Sequence, residues 1–244
     1  MKDAKIKQAL RGKKKRRKKK LSLFMRLRRL IWRGLLGAVA LVLIVTVLFS
    51  VVNPPTNIYM ASESRRLGGV TQTWVSLDEI APVMARSAVA AEDANFCLHW
   101  GLDVDAIQSA IDAGGNRGAS TISQQTVKNV YLWHGRSYVR KAMEALWTPL
   151  VEAIWSKERI LEVYLNIAEF DEGVFGVQAA SRRFFGRDAS NLTATQAARL
   201  AMVLPSPKTR SASDPTSAQR RRTASIMDGA ATILADGRAD CFEG

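Results

Sequence analysis

One acidic residue of this chain stands in a setting suited to proton transfer. Glu92 follows the largely apolar stretch 87–91 (SAVAA) and lies four residues before Phe96. A carboxylate in a partly dry setting has a raised pKa and can act as a general base towards a hydroxyl group. An ordinary surface glutamate is the alternative. We take Glu92 as the candidate catalytic base, whereas Asp93 and His99 beside it are more typical of structural hydrogen bonding.

The polar segment GASTISQQTVKN at 118–129 supplies a second set of candidates. A glycine-rich turn at 114–118 ends where this segment begins, so Ser120 is predicted to open a helix and to cap its free N–H groups. A helix N-terminus also favours anions. Gln124 and Lys128 follow at intervals of four and share a helical face with Ser120. We interpret this face as a surface for sugar and phosphate oxygens; a capping serine followed by a solvated polar stripe is the alternative.

Further cations follow at once in the segment RSYVRKAME. Lys128 and Arg136 are predicted to bind a diphosphate, because arginine offers phosphate a planar fork and lysine offers it a point charge. Arg140 and Lys141 add to the positive field. Glu144 is expected to orient these cations or to help hold a divalent metal ion. The alternative for Lys141 and Glu144 is a surface ion pair at i,i+3 spacing.

The apolar residues around these segments recur at helical spacing. On the segment 140–155 they form a continuous stripe, which consists of Met143, Leu146, Trp147, Leu150, Val151 and Ile154. Pro149 lies within that helix and is expected to kink it. Further helices are predicted at 103–113, 157–166, 178–185, 193–204 and 218–234. No strand-like alternation of useful length appears, so the fold is predicted to be mainly α.

The positive charge of the chain is concentrated at its N-terminus. Residues 1–33 hold 16 of the 36 Lys and Arg residues and one acid, and the rest of the chain carries a net charge of −1. Such a tail can bind nucleic acid or anionic lipid. Because it precedes the uncharged apolar run 34–52, which is long enough to cross a bilayer, we interpret it as a cytoplasmic topology signal that contacts lipid headgroups.

The apolar run is interpreted as an uncleaved membrane anchor. It is followed by Asn-Pro-Pro and not by the small-residue pattern of a signal-peptide cleavage site. Positive charge stays in the cytoplasm, so residues 53–244 are expected outside it. Proline and glycine pairs predict a linker at 53–75. A possible capping box, SLDE, then opens a domain at 76–244.

The chain contains two cysteines, Cys97 and Cys241. On the oxidising side of a membrane they are predicted to form a structural disulfide, which would tie the C-terminal segment to the region of Glu92. Two unpaired thiols, one buried and one near the chain end, are the alternative.

In their order along the chain, these segments resemble the family 51 glycosyltransferases. The resemblance runs from about residue 88 to 207, and it is carried by EDANFCLHWG, GASTISQQTVKN, RSYVRKAME, KERILEVYLN and the segments 179–186 and 192–205. The last three we interpret as scaffold. Departures are small, with Gln196 where an acidic residue is common and Phe184 where tyrosine is common.

The resemblance implies a lysozyme-like glycosyltransferase domain on the periplasmic side of the inner membrane. It implies polymerisation of lipid II into β-1,4 glycan strands of the cell wall, with release of undecaprenyl diphosphate and a Mg²⁺ or Mn²⁺ ion on the diphosphate. The implied base is Glu92 and the implied donor-site residues are Lys128, Arg136 and Glu144, with Glu92 and Glu144 taken as catalytic. The residues themselves add Ser120, Gln124, Arg140 and Lys141 as substrate-binding candidates. The expected partners are lipid II, the growing strand, inner-membrane lipids and other cell wall synthesis proteins, with no nucleic acid.

Two other functions remain possible at the level of the sequence. A lysozyme-like lytic enzyme also centres on one glutamate, but it needs a proton donor and no cations for a diphosphate. A membrane-tethered scaffold would need no catalytic constellation at all. The serine-acylation motifs S-x-x-K, S-D-N and K-T-G are not found, so only the glycan-polymerising activity is expected.

Overall fold

The computed structural model describes residues 23–112, 114, 120–135 and 137–243. Its contacts divide the chain after Val45. Helix α1 (Leu23–Val51) belongs to the first unit up to Val45 and to the second unit from Thr46 onward.

Helix α1 has the length and composition of a membrane-spanning helix. Its segment Phe24–Val51 has 28 residues, and an 18-residue stretch within it has a mean hydropathy of 2.7. The predicted span at 34–52 therefore ends within one residue of the helix, but the helix begins earlier. Residues 23–33 are rich in leucine and arginine, which favour helix, so the helix continues past the apolar run.

The second unit is mostly helical, as predicted. Its remaining α-helices are α2 (Ile58–Leu67), α3 (Pro82–Glu92), α4 (Val104–Asp112), α5 (Ile122–Tyr131), α6 (Tyr138–Ile154), α7 (Lys157–Ile167), α8 (Val177–Phe185), α9 (Ala194–Val203), α10 (Ser217–Ala235) and α11 (Asp240–Glu243). Short 3₁₀ turns lie at Leu77–Glu79 and Ala189–Asn191. The predicted capping box is present, but it opens the first of these turns rather than α3.

A small sheet, which the sequence did not predict, lies beside the helices. Its strands are β1 (Thr71–Gln72), β2 (Glu169–Asp171) and β3 (Val174–Phe175), in the order β1-β3-β2. β3 runs parallel to β1 and antiparallel to β2. Strands of two or three residues are too short to show an alternating pattern.

The segment 53–75, predicted as a linker, is part of the folded unit. Asn57 caps α2 by accepting a 2.8 Å hydrogen bond from the backbone N–H of Met60. Met60 is buried, and α2 ends at Gly68, whose φ of +76° suits a residue without a Cβ. The linker prediction was therefore wrong over most of its length, because Pro and Gly there mark the ends of short elements.

The core forms where two groups of helices meet. In one group α3, α9 and α10 pack on one another, and in the other α5 packs against α6 and α7. Helix α7 is the most buried, with Ile160, Leu161, Tyr164 and Leu165 all at most 1% exposed. Full burial of one such side chain contributes about 1.5–3 kcal/mol. This core fixes the end of α3 opposite α5, where the candidate residues lie.

Candidate active site

Glu92 is the last residue of α3 and faces α5. Its carboxylate oxygen Oε2 accepts a 2.9 Å hydrogen bond from Nε2 of Gln125. Burial raises the pKa of Glu92 above its usual range. The hydrogen bond from Gln125 and the charges of Arg222, Lys128 and Arg210 oppose this rise. The result is a partly dry carboxylate whose pKa is shifted towards that of a general base.

Asp93 and His99 hold the neighbouring loop, as the sequence predicted. Oδ2 of Asp93 accepts from the backbone N–H of Ile122 at 2.9 Å, and Oδ1 lies 2.8 Å from Nε2 of His99. Nδ1 of His99 accepts from the N–H of Gly101 at 3.1 Å, so its Nε2 carries the proton and donates to Asp93. These bonds tie the end of α3 to the start of α5.

The cap of α5 is Thr121, not Ser120 as predicted. The Thr121 hydroxyl accepts from the N–H of Gln124, and the Gln124 side chain accepts from the N–H of Thr121 at 3.0 Å, which completes a capping box. Gln124 is buried and its carbonyl oxygen is occupied by the cap, and its predicted contact with substrate stays a prediction. Ser120 lies outside the helix and accepts from Nζ of Lys141 at 3.1 Å.

Gln125, which binds Glu92, shares a face of α5 with Lys128 and Asn129. These residues line a cavity of about 220 Å³ between α5 and the segment after α9, whose other lining residues are Tyr59, His134, Tyr164, Ile167, Ala168, Glu169, Leu204, Pro205 and Pro207. Sequence reasoning missed Gln125 and Asn129. Lys128 and Asn129 follow Gln125 by three and four positions, and this spacing was the signal that could have identified the face.

Lys128 places a cation beside this cavity. Burial lowers the pKa of Lys128 below its usual range. The positive charges of Arg140 and Lys141 act in the same direction, and the carboxylates of Glu144 and Glu92 oppose them. Lys128 forms no ion pair within the described part of the chain. Its ammonium group therefore remains available to an anionic ligand.

Glu144 is a buried acceptor for two cations of α6. Its Oε2 accepts from Nη1 of Arg140 at 2.7 Å, and its Oε1 pairs with Nζ of Lys141. The Glu144 side chain is only 3% exposed, so the pair is not the surface ion pair of the alternative interpretation. Glu144 thus orients Arg140 and Lys141, which is the first of the two roles predicted for it. Arg136 lies outside the described residues.

Sequence reasoning also missed the contribution of the C-terminal helix. Arg220, Arg221 and Arg222 are exposed on α10, as a run of like charges on a solvated helix face predicts. Arg222 also donates from Nη2 to the backbone oxygen of Ala91 at 3.0 Å, next to Glu92. These residues are 131 positions apart, and short-range patterns carry no signal for such a contact.

The two cysteines form the predicted disulfide. Cys97 and Cys241 are bonded, with Cα atoms 5.7 Å apart. Glu243 adds an ion pair to Arg86 on α3 at 2.5 Å, and Phe242 is buried against Phe96. The C-terminal segment is therefore fixed against α3 and the loop that follows it.

The chain belongs to the transglycosylase family, whose model matches residues 61–230. A biosynthetic peptidoglycan transglycosylase of Jannaschia sp. is 59% identical over 216 residues, which cover 88% of this chain and 90% of the relative. A protein of the same name from Cronobacter sakazakii is 48% identical over 217 residues, 84% of this chain and 90% of the relative. One from Caulobacter vibrioides is 43% identical over 223 residues, 88% and 97% of the two chains. The activity is that of a peptidoglycan glycosyltransferase in cell wall biogenesis.

Proposed function

We propose that this chain polymerises lipid II by inverting glycosyl transfer, with Glu92 as the base. Glu92 removes the proton of the acceptor 4-hydroxyl of N-acetylglucosamine. That oxygen attacks C1 of the donor N-acetylmuramic acid, the bond from C1 to the diphosphate breaks, and undecaprenyl diphosphate leaves. An α-linked donor then gives a β-1,4 bond. The observation that carries this proposal is a half-buried carboxylate bonded to Gln125, which lines one cavity together with Lys128.

The cations of α5 and α6 stabilise the departing diphosphate. Lys128 has no anionic partner in the described part of the chain, and Lys141 is half exposed while Ser120 accepts from its Nζ. Arg140 is held by Glu144 with its guanidinium partly accessible. Preorganised charges of this kind stabilise a developing anion without reorganisation during the reaction. Arg136 belongs to the same set by its place in the family motif.

The described residues do not offer a site for the expected Mg²⁺ or Mn²⁺ ion. Both carboxylate oxygens of Glu144 are engaged by Arg140 and Lys141. The other group with suitable spacing consists of Asp93, His99 and Asp103. Asp93 already bonds to His99 and to the N–H of Ile122, and Asp103 already bonds to Asn95. In this proposal the protein's own cations neutralise the diphosphate, and no step passes through a metal ion.

The lytic alternative explains less of the site. Cleavage of a glycan also needs a carboxyl group with a raised pKa, so Glu92 alone suits either reaction. A hydrolase has no diphosphate leaving group, and Lys128, which forms no ion pair in the described part of the chain, would then have no ligand of opposite charge. The cations beside Glu92 therefore favour the transferase over the hydrolase.

Membrane lipids are proposed as partners of α1 and of exposed apolar residues on α6. Helix α1 would anchor the chain in the inner membrane, with residues 1–33 in the cytoplasm and the catalytic unit in the periplasm. On α6, Tyr138, Val139 and Leu146 are exposed apolar residues on the helix that carries Arg140. A surface of this kind suits a substrate whose lipid stays in the bilayer. A protease that reaches an N-terminal tag in spheroplasts with an intact inner membrane would contradict this topology.

The test of the proposed function uses the detergent-solubilised full chain and lipid II, with and without a divalent cation. We expect glycan strands that migrate as a ladder on a gel and that lysozyme digests. Release of short products from preformed glycan, with lipid II left unchanged, would support the lytic enzyme and overturn the proposal. A chain that binds lipid II without any turnover would indicate a scaffold.

A further inference from the structure

The side-chain amide of Gln125 lies between Glu92 and the buried phenol of Tyr164. Its nitrogen Nε2 donates to Oε2 of Glu92 at 2.9 Å and approaches the backbone oxygen of Ser120 at 3.5 Å. Its oxygen Oε1 accepts from the hydroxyl of Tyr164 at 3.4 Å. The amide therefore presents its nitrogen to two acceptors and its oxygen to one donor, which defines a single orientation.

Tyr164 is a fixed and protonated donor. It lies on α7, its side chain is 1% exposed, and it packs in the core. Burial, together with the nearby carboxylates of Glu92 and Asp93, raises the pKa of Tyr164 well above its usual range. The hydroxyl thus keeps its proton at every pH at which the protein is folded and active. A flipped Gln125 would turn its NH₂ group to this donor and its oxygen to a carboxylate, so the flip is disfavoured at both ends.

We propose that Tyr164 is a positioning residue for the transfer reaction, acting through Gln125 on Glu92. Its hydroxyl holds the amide so that Nε2 binds one oxygen of the Glu92 carboxylate. The other oxygen, which accepts no hydrogen bond from the described residues, is thereby directed to the acceptor hydroxyl. This inference rests on the proposed role of Glu92 as the base.

Several charged groups face Glu92, and the test must leave them unchanged. Arg222 on α10, Lys128 on α5 and Arg210 after α9 favour the charged carboxylate, and burial disfavours it. Asp93 is its neighbour in sequence. The two variants below alter none of these charges, so a change in pH dependence reports the orientation of the amide.

Tyr164→Phe removes only the hydroxyl and keeps the buried ring. The freed amide then spends part of its time with its carbonyl towards Glu92, which favours the protonated acid. We expect kcat for lipid II to fall about two- to ten-fold at neutral pH, the size of one lost neutral hydrogen bond. The acid limb of the pH–rate profile should move up by about 0.4–1 unit, with KM unchanged.

The matched control is Tyr131→Phe. Tyr131 ends α5, the helix of Gln125, but its ring stacks on Trp147 at 4.4 Å. It should leave the acid limb in place. An equal shift in both variants, or no shift in Tyr164→Phe, would overturn the proposal. Melting temperatures of both proteins show whether each is folded at the assay temperature.

A second variant keeps the proposal testable if Tyr164→Phe is poorly folded. Gln125→Met keeps the length of the side chain and removes both amide groups. It should raise the acid limb by itself, and Tyr164→Phe added to it should have no further effect on that limb. Additive shifts would show that Tyr164 does not act through Gln125 and would overturn the proposal.

Titration of Glu92 by carbon-13 NMR separates this inference from the proposed function. The signal is assigned by its loss in Glu92→Gln. If Tyr164→Phe raises the pKa of Glu92 while Glu92→Gln still polymerises lipid II, Glu92 is positioned as inferred but is not the base. If Glu92→Gln is inactive and Tyr164→Phe moves neither the pKa nor the profile, the base stands and the positioning role of Tyr164 fails.

Discussion

Glu92 receives opposing influences from separate parts of the chain, and their balance sets the pH range in which it can act as a base. Burial raises its pKa, whereas Gln125, Arg222, Lys128 and Arg210 lower it. A base is active when deprotonated, so activity is expected to rise with pH through the pKa of Glu92. Removing any of the cations should move that rise to higher pH.

Arg222→Gln tests this balance. Because Arg222 favours the charged carboxylate, its loss should raise the pKa of Glu92 and move the acid limb of the pH–rate profile upward. Arg221→Gln on the same helix removes an equal charge from an exposed position and is the control. Equal shifts in the two variants would mean that only net charge matters and that the contact of Arg222 with Ala91 does not.

Lys128→Ala should reduce kcat/KM for lipid II by about 10- to 100-fold, the range expected for the loss of a charge-assisted hydrogen bond. The reason is that the ammonium of Lys128 faces the cavity beside Glu92 and has no ion pair in the described part of the chain. Steady-state rates at a pH above the acid limb measure this. A variant with the wild-type kcat/KM would remove Lys128 from the diphosphate site.

At this scale the sequence predicted residue types better than their neighbours in space. Glu92 and Lys128 lie together as expected, because both belong to motifs with distinctive chemistry. Gln124 was chosen by its spacing of four residues from both Ser120 and Lys128, but Gln125, three residues before Lys128, is the one that contacts Glu92. Neighbouring residues point about 100° apart around a helix, so the i,i+3 and i,i+4 neighbours of Lys128 have different surroundings.

At the scale of elements, the start of α5 decides which side chains reach the site. Thr121 caps the helix, its hydroxyl also donates to the backbone oxygen of Gly101 at 2.6 Å, and Asp93 binds the N–H of Ile122. Three segments therefore meet at one helix end. This arrangement depends on contacts across about 20 to 30 residues, which local patterns do not reveal.

Thr121→Ala should lower the free energy of unfolding by about 1–2 kcal/mol, as loss of an N-cap typically does. Ser120→Ala is the matched control and should change stability by less than about 0.5 kcal/mol, because Ser120 lies outside the helix. Denaturant unfolding of the two proteins gives both values. Equal losses would mean that Ser120 shares the cap, contrary to the structure.

Most helices were predictable, and the short elements were not. The stripe around Val151 predicted α6 to within two residues at each end, because long amphipathic patterns survive the tertiary context. Helix α2 and strand β1 were missed in a segment with conspicuous Pro and Gly residues. Burial of Glu144 was missed as well, since i,i+3 spacing alone does not report whether a helical face is covered.

At the scale of the whole molecule, the disulfide joins the last helix to the loop after α3. It links residues 144 positions apart. Closing a loop of this length stabilises by about 4–5 kcal/mol in the chain-entropy model. The sequence predicted the bridge from the topology of the chain, and the structure confirms the pair.

Reduction of Cys97–Cys241 should therefore lower the melting temperature by about 10 °C and leave initial rates in a cool assay much less affected. The reason is that neither sulfur belongs to the catalytic residues, while the bridge restrains the C-terminal segment. The double variant Cys97→Ala and Cys241→Ala should not respond to reductant. Loss of activity on reduction at an unchanged melting temperature would contradict a structural role.

The central claim is that Glu92 is the base of glycan polymerisation, and its most direct test is Glu92→Gln assayed with lipid II. Glutamine keeps the size of the side chain and cannot take a proton. Glu158→Gln, at an exposed position on α7, is the control. The account predicts a loss of about 10²–10⁴ in rate for Glu92→Gln, with melting temperature and lipid II binding close to wild type and Glu158→Gln fully active. Polymerisation by Glu92→Gln within a few-fold of wild type would contradict it.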